Sequence, residues 1–263
     1  MKIHSKVKDY QVELKEDLSS ISTILGGEKD YYVIDRKVWN LYPQLFSGLP
    51  GDRLYLIDAL EEKKTVETAL EICEAMTRLD SKRNTHLVSI GGGITQDLTG
   101  FVANILYRGI PWTFVPTTLL AAADSCIGGK TSLNHKSFKN LLGTFYPPDE
   151  ILIVPAFFQT LSREDYLSGM GEIIKFQLMM GESGLREIEE NLDSLLMRDE
   201  AALHRFVGQS LAFKKEFIEE DEFDGGKRIY LNFAHTFGHA FEVSSHYEIP
   251  HGTAVALGVV AAG

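Results

Sequence analysis

Short apolar runs alternate with helix-like segments over the first 155 residues of the chain. Continuous apolar runs of four or five residues are typical of strands buried on both faces. Between them, apolar residues recur at spacings of three and four, which predicts helices. Strands are predicted at Tyr31–Ile34, Leu54–Ile57, His86–Ile90, Trp112–Val115 and Ile151–Val154, and helices at Thr65–Leu79 and Asp97–Tyr107. This alternation indicates a parallel sheet covered by helices.

The pattern becomes helical after Pro155. Ser162 and Asp165 form a capping box that predicts a helix start. Helices are predicted from there to about Met180 and then at Glu182–Met197, Glu200–Glu219, Asn232–Ser245 and Gly252–Gly263. We therefore expect an α/β domain over residues 1–155 and an all-α domain over residues 156–263. The last ten residues are apolar and end without a cap, so we also expect the second domain to continue beyond Gly263.

Composition narrows the functional classes. The chain is 44% hydrophobic and 24% charged, as in globular proteins with a full core. No apolar run reaches the ~20 residues of a membrane span, and the N-terminus lacks the apolar stretch of a signal peptide. Cys73 and Cys126 lie far apart, which favours reduced thiols in the cytoplasm. The net charge of -11 argues against nucleic acid as a partner, although an anionic metabolite can bind where a few cations converge.

Three histidines near the end of the chain suggest a metal site. His235 and His239 are four residues apart on a predicted helix and therefore share one face. His251 follows Pro250 at the start of the next element. An isolated pair at this spacing is also found by accident on surfaces and in cores. Two histidines and one carboxylate, however, form a common catalytic zinc set, and the third histidine favours this interpretation.

Glu172 is the candidate carboxylate for this set. It lies three residues before Lys175, so the two side chains are neighbours on a helix. A surface ion pair would explain that spacing equally well. The surrounding apolar residues favour a partly buried face instead, where a charge needs a partner or a metal.

Polar loops follow two of the predicted strands. Gly91, Gly92 and Gly93 stand between a strand and a helix, where glycines let an anion approach the backbone. This run lacks the G-x-G-x-x-G spacing, so an ordinary tight turn is an alternative. Thr117 and Thr118 supply hydroxyls after the next strand, the end at which such sheets bind ligands.

A further polar segment contains Asp124, Lys130, Lys139 and Asn140. Gly128 and Gly129 are expected to bend the chain and to turn Lys130 inward. The four polar residues lie within 17 residues of an apolar-flanked loop, which favours a polar pocket. Each lysine alone could equally belong to a surface loop. Later in the chain, further polar side chains precede the histidine helix and could bind an acidic substrate, namely Lys214, Arg228 and Asn232.

Taken together, these motifs resemble 3-dehydroquinate synthases and the wider sugar-phosphate cyclase family, over about Asp35 to Gly263. The resemblance implies a Rossmann-like NAD-binding domain followed by an α-helical metal- and substrate-binding domain. It also implies a family chain that continues for several helices and includes a further phosphate-binding lysine. The motifs are GGGITQDLTGFVA, YRGI, VPTTLLAAADSCIGGKT, FKNLLGTFYPP, GMGEIIK and LNFAHTFGHAFE followed by HG.

The same resemblance implies roles for individual residues. Zinc, or cobalt in its place, would be bound by Glu172, His235 and His251. NAD would be contacted by Asp35, Glu61, Lys64, Gly91, Gly92, Gly93, Asp97, Thr117, Thr118 and Lys139. The substrate would be contacted by Asp124, Lys130, Asn140, Lys175, Lys214, Arg228, Asn232 and His239. Arg108 would reach the phosphate site of a neighbouring subunit, which implies a homodimer.

The implied reaction converts 3-deoxy-D-arabino-heptulosonate 7-phosphate to 3-dehydroquinate and phosphate. It combines transient oxidation by NAD, phosphate elimination, re-reduction and intramolecular aldol closure. The chain departs from the family pattern at Thr95-Gln96, Cys126 and Asp224. Three alternatives stay open at this point. They are a cyclase acting on another sugar phosphate, a metal-dependent polyol or alcohol dehydrogenase, and a relative that binds nucleotide without catalysis.

Overall fold

A computed structural model describes residues 1–78 and 84–262. The chain divides into two compact units. The first contains Met1–Thr117 and Gly128–Val154, and the second contains Thr118–Ile127 and Pro155–Gly263. The predicted helix end at Leu79 and the last predicted residue, Gly263, lie outside the described residues. Within those residues, no helix combines the length and the apolar character required to cross a membrane.

The first unit is built on a seven-stranded sheet in the order β1-β2-β9-β6-β5-β3-β4. Only the β1–β2 pair is antiparallel among these neighbours, and the others run parallel. The strands are β1 (Lys2–Ile3), β2 (Tyr10–Leu14), β3 (Asp30–Asp35), β4 (Leu54–Ile57), β5 (His86–Gly91), β6 (Trp112–Pro116) and β9 (Glu150–Ile153), with β7 (Leu133–His135) and β8 (Phe138–Leu142) in a separate hairpin.

All five predicted strands are present as β3, β4, β5, β6 and β9. Their apolar runs are continuous because the central strands are covered on both faces, as in the run from Tyr31 to Ile34, where every residue is buried. Removing each large apolar side chain from water contributes about 1.5–3 kcal/mol to the free energy of folding. The α/β fold class of the first part of the chain is confirmed.

The helices also follow the predicted order. The first unit contains α1 (Arg36–Leu41), α2 (Pro43–Phe46), α3 (Val66–Thr77) and α4 (Gly93–Ile105). The second contains α5 (Arg163–Met179), α6 (Glu182–Leu196), α7 (Glu200–Glu220), α8 (His235–Ser244) and α9 (His251–Ala262). Ser162 caps α5 as predicted, because its hydroxyl accepts a hydrogen bond from the Asp165 amide at 3.1 Å. The predicted helical character of the second part is confirmed.

Two helix starts were predicted wrongly. Helix α4 begins at Gly93 instead of Asp97, with Gly92 as its extended N-cap, so the glycine run opens the helix and is not a separate turn. Helix α8 begins at His235 instead of Asn232. Asn232 ends a 3-10 turn, and Ala234 has a left-handed φ of 67°, which interrupts the helical path.

The structure adds features that the apolar pattern did not reveal. Strands β1 and β2 and the β7–β8 hairpin were not predicted, and all five residues of β8 are exposed. The segment Thr118–Ile127, which the sequence assigned to the first domain, belongs to the second unit. It carries a π-helical turn at Ala121–Ser125 that packs on α5 and α7.

Candidate metal centre and polar clusters

Two glycines let α5 and α9 approach each other closely. A side-chain carbon on Gly171 would lie 1.9 Å from the carbonyl oxygen of Gly252, and one on Gly252 would lie 1.8 Å from that of Ser168. The Gly252 amide also donates a hydrogen bond to the Ser168 hydroxyl at 3.0 Å. The residues next to these glycines are Glu172 and His251, so the close packing brings these two side chains together.

Glu172, His235 and His251 converge on one point. Glu172 Oε1 lies 3.3 Å from His251 Nε2 and 3.7 Å from His235 Nε2, and the ligand atoms of all three lie within 4.8 Å of one another. An ion bound tetrahedrally at about 2.0–2.1 Å would hold its ligand atoms about 3.3 Å apart. The spacing therefore suits a metal ion with two imidazole ligands and one carboxylate ligand.

The burial of Glu172 supports the same conclusion. Its carboxylate is fully buried, and neither oxygen accepts a hydrogen bond of good geometry from the described part of the chain. The Lys175 ammonium lies 2.6 Å from Oε2 and supplies a counter-charge. Buried carboxylates without hydrogen bonds are costly unless a cation completes their surroundings. The donor set and its unsatisfied oxygens therefore fit a divalent metal.

Neighbouring charges set the protonation of the three groups. Burial and the Asp124 carboxylate raise the pKa of Glu172, but Lys175 and the imidazoles outweigh them, and the pKa falls below its usual value. Burial and the Lys175 ammonium lower the pKa of His235. Burial lowers the pKa of His251, but Glu172 and Glu242 reverse this and raise it. An ionised carboxylate and a neutral His235 are the forms that bind metals.

Each histidine is oriented by a partner at its second ring nitrogen. His235 Nδ1 lies 3.1 Å from the Phe233 carbonyl oxygen, and His251 Nδ1 lies 3.3 Å from Glu242 Oε2. Glu242 Oε2 also lies 2.8 Å from Nδ1 of His239. Glu242 was missed in the sequence, although its position three residues after His239 on one helix could have indicated the contact.

A second group of charges in the same unit is built around Lys214. Its ammonium lies 2.7 Å from Asp124 Oδ1 and donates a hydrogen bond to the Asp124 carbonyl oxygen at 2.7 Å. Burial lowers the pKa of Lys214 despite Asp124, and Arg228 adds to the effect. Burial raises the pKa of Asp124, but Lys214 and Lys175 more than offset this and hold it well below its usual range.

Arg228 and Lys175 are also buried and anchored to backbone. Arg228 is 4% exposed and donates to the Glu222 carbonyl oxygen, and the Lys175 ammonium donates to the Leu231 carbonyl oxygen at 3.0 Å. With Lys214, they make three buried cations in the second unit. Two other predicted substrate residues of this unit, Asn232 and His239, are exposed.

The first unit contains its own polar cluster around Lys64 and Asp97. Their side chains lie 2.7 Å apart, and Asn140 Oδ1 accepts a hydrogen bond from the Lys64 ammonium at 2.7 Å. Ser132, which the sequence prediction missed, donates to both oxygens of the Asp97 carboxylate. Burial raises the pKa of Asp97, although Lys64 and Ser132 favour its charged form. Asn140, predicted to contact substrate, thus joins two predicted NAD residues.

Other predicted cofactor residues make local backbone or polar contacts. Glu61 accepts a hydrogen bond from Asn134 at 2.8 Å and lies 4.0 Å from the Lys139 ammonium. Asp35 caps α1 by accepting from the Lys37 amide. The Thr117 amide donates to the Gly91 carbonyl oxygen, while the Thr118 hydroxyl accepts from the Ala121 amide.

Lys130 and Arg108 are both exposed. The chain does bend at Gly128 and Gly129, which have φ of 100° and 64°. The expectation that this bend turns Lys130 inward is wrong, because Lys130 is exposed where it pairs with Phe145 through the backbone in an isolated bridge. Arg108 lies at the end of a 3-10 turn with a left-handed φ of 68°.

The chain combines a parallel α/β unit with a helical unit in which one carboxylate and two imidazoles are spaced for a metal ion. This combination places it in the class of metal-binding proteins with an α/β domain and an α-helical domain. Family models extend this assignment. The model described as 3-dehydroquinate synthase N-terminal matches residues 54–168, and the model described as 3-dehydroquinate synthase C-terminal matches residues 169–263. The chain therefore belongs to the 3-dehydroquinate synthase family.

Individual relatives agree with this assignment. A 3-dehydroquinate synthase of Clostridium tetani is 36% identical over 262 residues, which cover 98% of this chain and 67% of the relative. A 3-dehydroquinate synthase of Dictyoglomus turgidum is 40% identical over 216 residues, 82% of this chain and 61% of the relative. The chain thus spans about two thirds of the length of these relatives.

Solved structures of sugar-phosphate cyclases share the fold. A 2-deoxy-scyllo-inosose synthase superposes with a TM-score of 0.87 at 27% identity, covering 99% of this chain and 76% of that chain. The 2-epi-5-epi-valiolone synthase of Streptomyces hygroscopicus, solved with NAD+ and Zn2+ bound, gives a TM-score of 0.84 at 28% identity over 95% of this chain and 72% of that chain.

Proposed function

We propose that the protein is a 3-dehydroquinate synthase, a carbon–oxygen lyase of the shikimate pathway of aromatic amino acid biosynthesis. It would convert 3-deoxy-D-arabino-heptulosonate 7-phosphate to 3-dehydroquinate and phosphate. The observation that carries the proposal is the convergence of Glu172, His235 and His251 in the unit that also buries Lys175 and Lys214. Membership of the family supports the reaction type.

NAD and a divalent metal, Zn2+ or Co2+, are the proposed cofactors. Glu172, His235 and His251 would hold the metal, and the residues around Lys64, Asp97 and the Gly91–Gly93 run would contact NAD. When bound, the metal polarises substrate hydroxyls as a Lewis acid and NAD supplies reversible hydride transfer. The solved structure of the related valiolone synthase with NAD+ and Zn2+ bound supports this pair of cofactors.

The protein's own side chains would bind and orient an anionic substrate. Lys175 and Lys214 are held by backbone carbonyl oxygens and carboxylates, so their positive charges are fixed before substrate arrives. Such preorganised cations stabilise the negative charge that develops at enolate or phosphate oxygens. Arg228 adds a guanidinium that suits a carboxylate or phosphate. The arrangement favours a substrate that carries both acidic groups.

The competing interpretations receive less support. The curated synthases are 36% and 40% identical to this chain, whereas the solved cyclases that make other products are 27% and 28% identical. An iron-containing alcohol dehydrogenase is only 18% identical and shares the fold alone. The same proposal includes three further points. The protein would form a homodimer in which Arg108 reaches the neighbouring subunit, and it would be located in the cytoplasm. The substrate would also contact Lys130, Asn140, Asn232 and His239.

The reaction can be tested with the purified protein, NAD and Zn2+. We expect 3-deoxy-D-arabino-heptulosonate 7-phosphate to release phosphate and 3-dehydroquinate in equal amounts, with no accumulation of NADH. A chelator should stop turnover, and added Zn2+ or Co2+ should restore it. Phosphate release only from a sugar phosphate without a carboxylate would favour another cyclase, and accumulation of NADH would favour a dehydrogenase.

His235→Ala tests the metal centre directly. We expect loss of both bound zinc and turnover, because one of three ligands is removed and the Glu172 carboxylate stays buried. Zinc content by atomic absorption and phosphate release by a colorimetric assay provide the measurements. His246→Ala, at an exposed position outside the cluster, serves as the control. Stoichiometric zinc in the His235 variant would exclude His235 from the ligand set.

A further inference from the structure

We propose that Glu242 is a positioning residue that holds the His251 imidazole with Nε2 directed at the metal centre. Glu242 is not among the ligands of that centre, yet its Oε2 lies 3.3 Å from His251 Nδ1. Its side chain is only 14% exposed, so water screens this contact weakly. The inference rests on the metal binding included in the proposed function.

The chemistry of imidazole explains why a partner at Nδ1 matters. A neutral imidazole carries one N–H and one lone pair, so a proton held at Nδ1 leaves the lone pair of Nε2 free for a metal. His251 Nε2 faces Glu172 Oε1 at 3.3 Å. An acceptor at Nδ1 therefore selects the tautomer and fixes the ring plane in the orientation that the metal requires.

The two histidines of the centre are held in matching ways. A backbone carbonyl oxygen, that of Phe233, lies 3.1 Å from His235 Nδ1, and a carboxylate occupies the corresponding place beside His251. A carboxylate is the stronger acceptor and makes the imidazole a stronger electron donor. Residue Glu242 also binds His239 Nδ1 at 2.8 Å, which anchors the carboxylate on its own helix.

Glu242 could in principle be a ligand of a second ion, since His239, Glu242 and His251 also form a compact group. The 3.3 Å between Glu242 Oε2 and His251 Nδ1 is compatible with either role, but the distance from Glu242 to His239 argues for hydrogen bonding. The 2.8 Å between Glu242 Oε2 and His239 Nδ1 is a hydrogen-bond length, and it is shorter than the roughly 3.3 Å between two ligand atoms of one tetrahedral ion. We therefore assign Glu242 to orientation and not to coordination.

The test is the zinc affinity of Glu242→Ala and Glu242→Gln, measured by competition with a chromophoric chelator on the full chain. Loss of an outer partner of a ligand typically weakens metal binding by about 10–100-fold, and we expect this for Glu242→Ala. Glu242→Gln keeps a neutral acceptor of the same shape and should lose less. Glu248→Gln, which neutralises an exposed carboxylate nearby, should bind zinc like the parent protein.

Two further measurements separate orientation from loss of folding. Circular dichroism and thermal melting in chelator should be the same for the parent protein and Glu242→Gln. The visible absorption bands of the Co2+ form should shift in both Glu242 variants, because the His251 ring is no longer held in one plane, and should stay unchanged in Glu248→Gln.

Three outcomes would overturn the inference. One bound ion in the parent protein with equal affinity in Glu242→Ala would leave the metal centre intact and remove the role of Glu242. Two bound ions in the parent and one in Glu242→Ala would make Glu242 a ligand. A parent protein that binds no zinc would contradict the metal centre itself, and the orienting role with it.

Discussion

The pairing of Lys214 with Asp124 illustrates how single buried charges are stabilised in this protein. The Lys214 side chain is 8% exposed and that of Asp124 is 23% exposed, with 2.7 Å between them. Burial lowers the pKa of Lys214, and the Asp124 carboxylate opposes that shift. Because each charge compensates the other, a variant that keeps only one of them should be less stable than a variant that lacks both.

A double-mutant cycle tests this pairing. Lys214→Met and Asp124→Asn should each lower the free energy of unfolding by about 3–5 kcal/mol, since each leaves one buried charge without its partner. The double variant should lose less than the sum of the two. Urea unfolding in the presence of chelator provides the measurement. Additive losses would mean that the two side chains do not interact energetically.

At the level of residues, the sequence indicated the proposed metal ligands but not the side chains that contact them. Glu172, His235 and His251 lie in recognisable motifs, and the structure brings them together. Glu242 and Ser132 were not predicted, because the contacts of Glu242 with His251 and of Ser132 with Asp97 depend on how separate elements pack. Lys130 was predicted to turn inward because glycines permit a bend, but they do not determine which side chain the bend buries.

The packing of α9 against α5 and α8 determines the geometry of the centre. Glycines occupy the contacts, and a side-chain carbon on Gly258 would lie 2.4 Å from the Ala234 carbonyl oxygen. Gly252 makes the equivalent contact with α5. Two of the three proposed ligands, His235 and His251, are the first residues of α8 and α9. A shift of either helix therefore moves one of the proposed ligands with it.

Gly252→Ala should separate α5 from α9. The added carbon would lie 1.8 Å from the Ser168 carbonyl oxygen, whereas metal bonds tolerate only about 0.2 Å of displacement. We expect zinc affinity to fall by at least about tenfold and stability to fall by about 1–3 kcal/mol. Chelator competition and urea unfolding measure the two effects. Zinc affinity equal to that of the parent would show that the helices adjust without moving the ligands.

Gly225→Ala is the matched control for that variant. Within the described residues, the nearest atom to its added carbon is Asp221 Oδ1 at 4.0 Å, and its backbone is not left-handed. The same change of glycine to alanine, without the clash, should therefore leave zinc affinity unaltered.

At the level of elements, strands with continuous apolar runs were predicted well and polar strands were missed. The buried strands of the sheet carry their own signal, whereas β8 is exposed along its whole length and owes its pairing to β7. The start of α8 was missed for a related reason. The left-handed conformation of Ala234 is imposed by its surroundings, since alanine does not favour it.

Tyrosines with raised pKa values make the folding stability of the whole molecule depend on pH in the alkaline range. Burial raises the pKa of Tyr31, Tyr32 and Tyr166 to about 12, against an ordinary value of about 10. The pKa of the half-buried Tyr55 also rises to about 12, because partial burial and the Glu71 carboxylate act together. A raised pKa means that the folded state favours the neutral phenol. The stabilisation is therefore complete below about pH 10 and is lost as the pH rises through 12.

We expect the folded protein to show a group of tyrosines that ionise near pH 12, separate from the exposed ones. In denaturant all ten tyrosines should ionise together near pH 10. The ultraviolet absorbance of tyrosinate, followed against pH in both states, provides the measurement. A single transition near pH 10 in the folded protein would contradict the burial of these phenols.

The path of the chain between its two units has a practical consequence for gene recombination. The chain leaves the first unit after Thr117, returns at Gly128 and leaves again after Val154, so neither unit is one continuous stretch. A chimera joined only at Pro155 would combine Lys214 from one parent with the Asp124 segment of the other. In functional hybrids with relatives, residues 118–127 and the region after residue 154 should therefore come from the same parent.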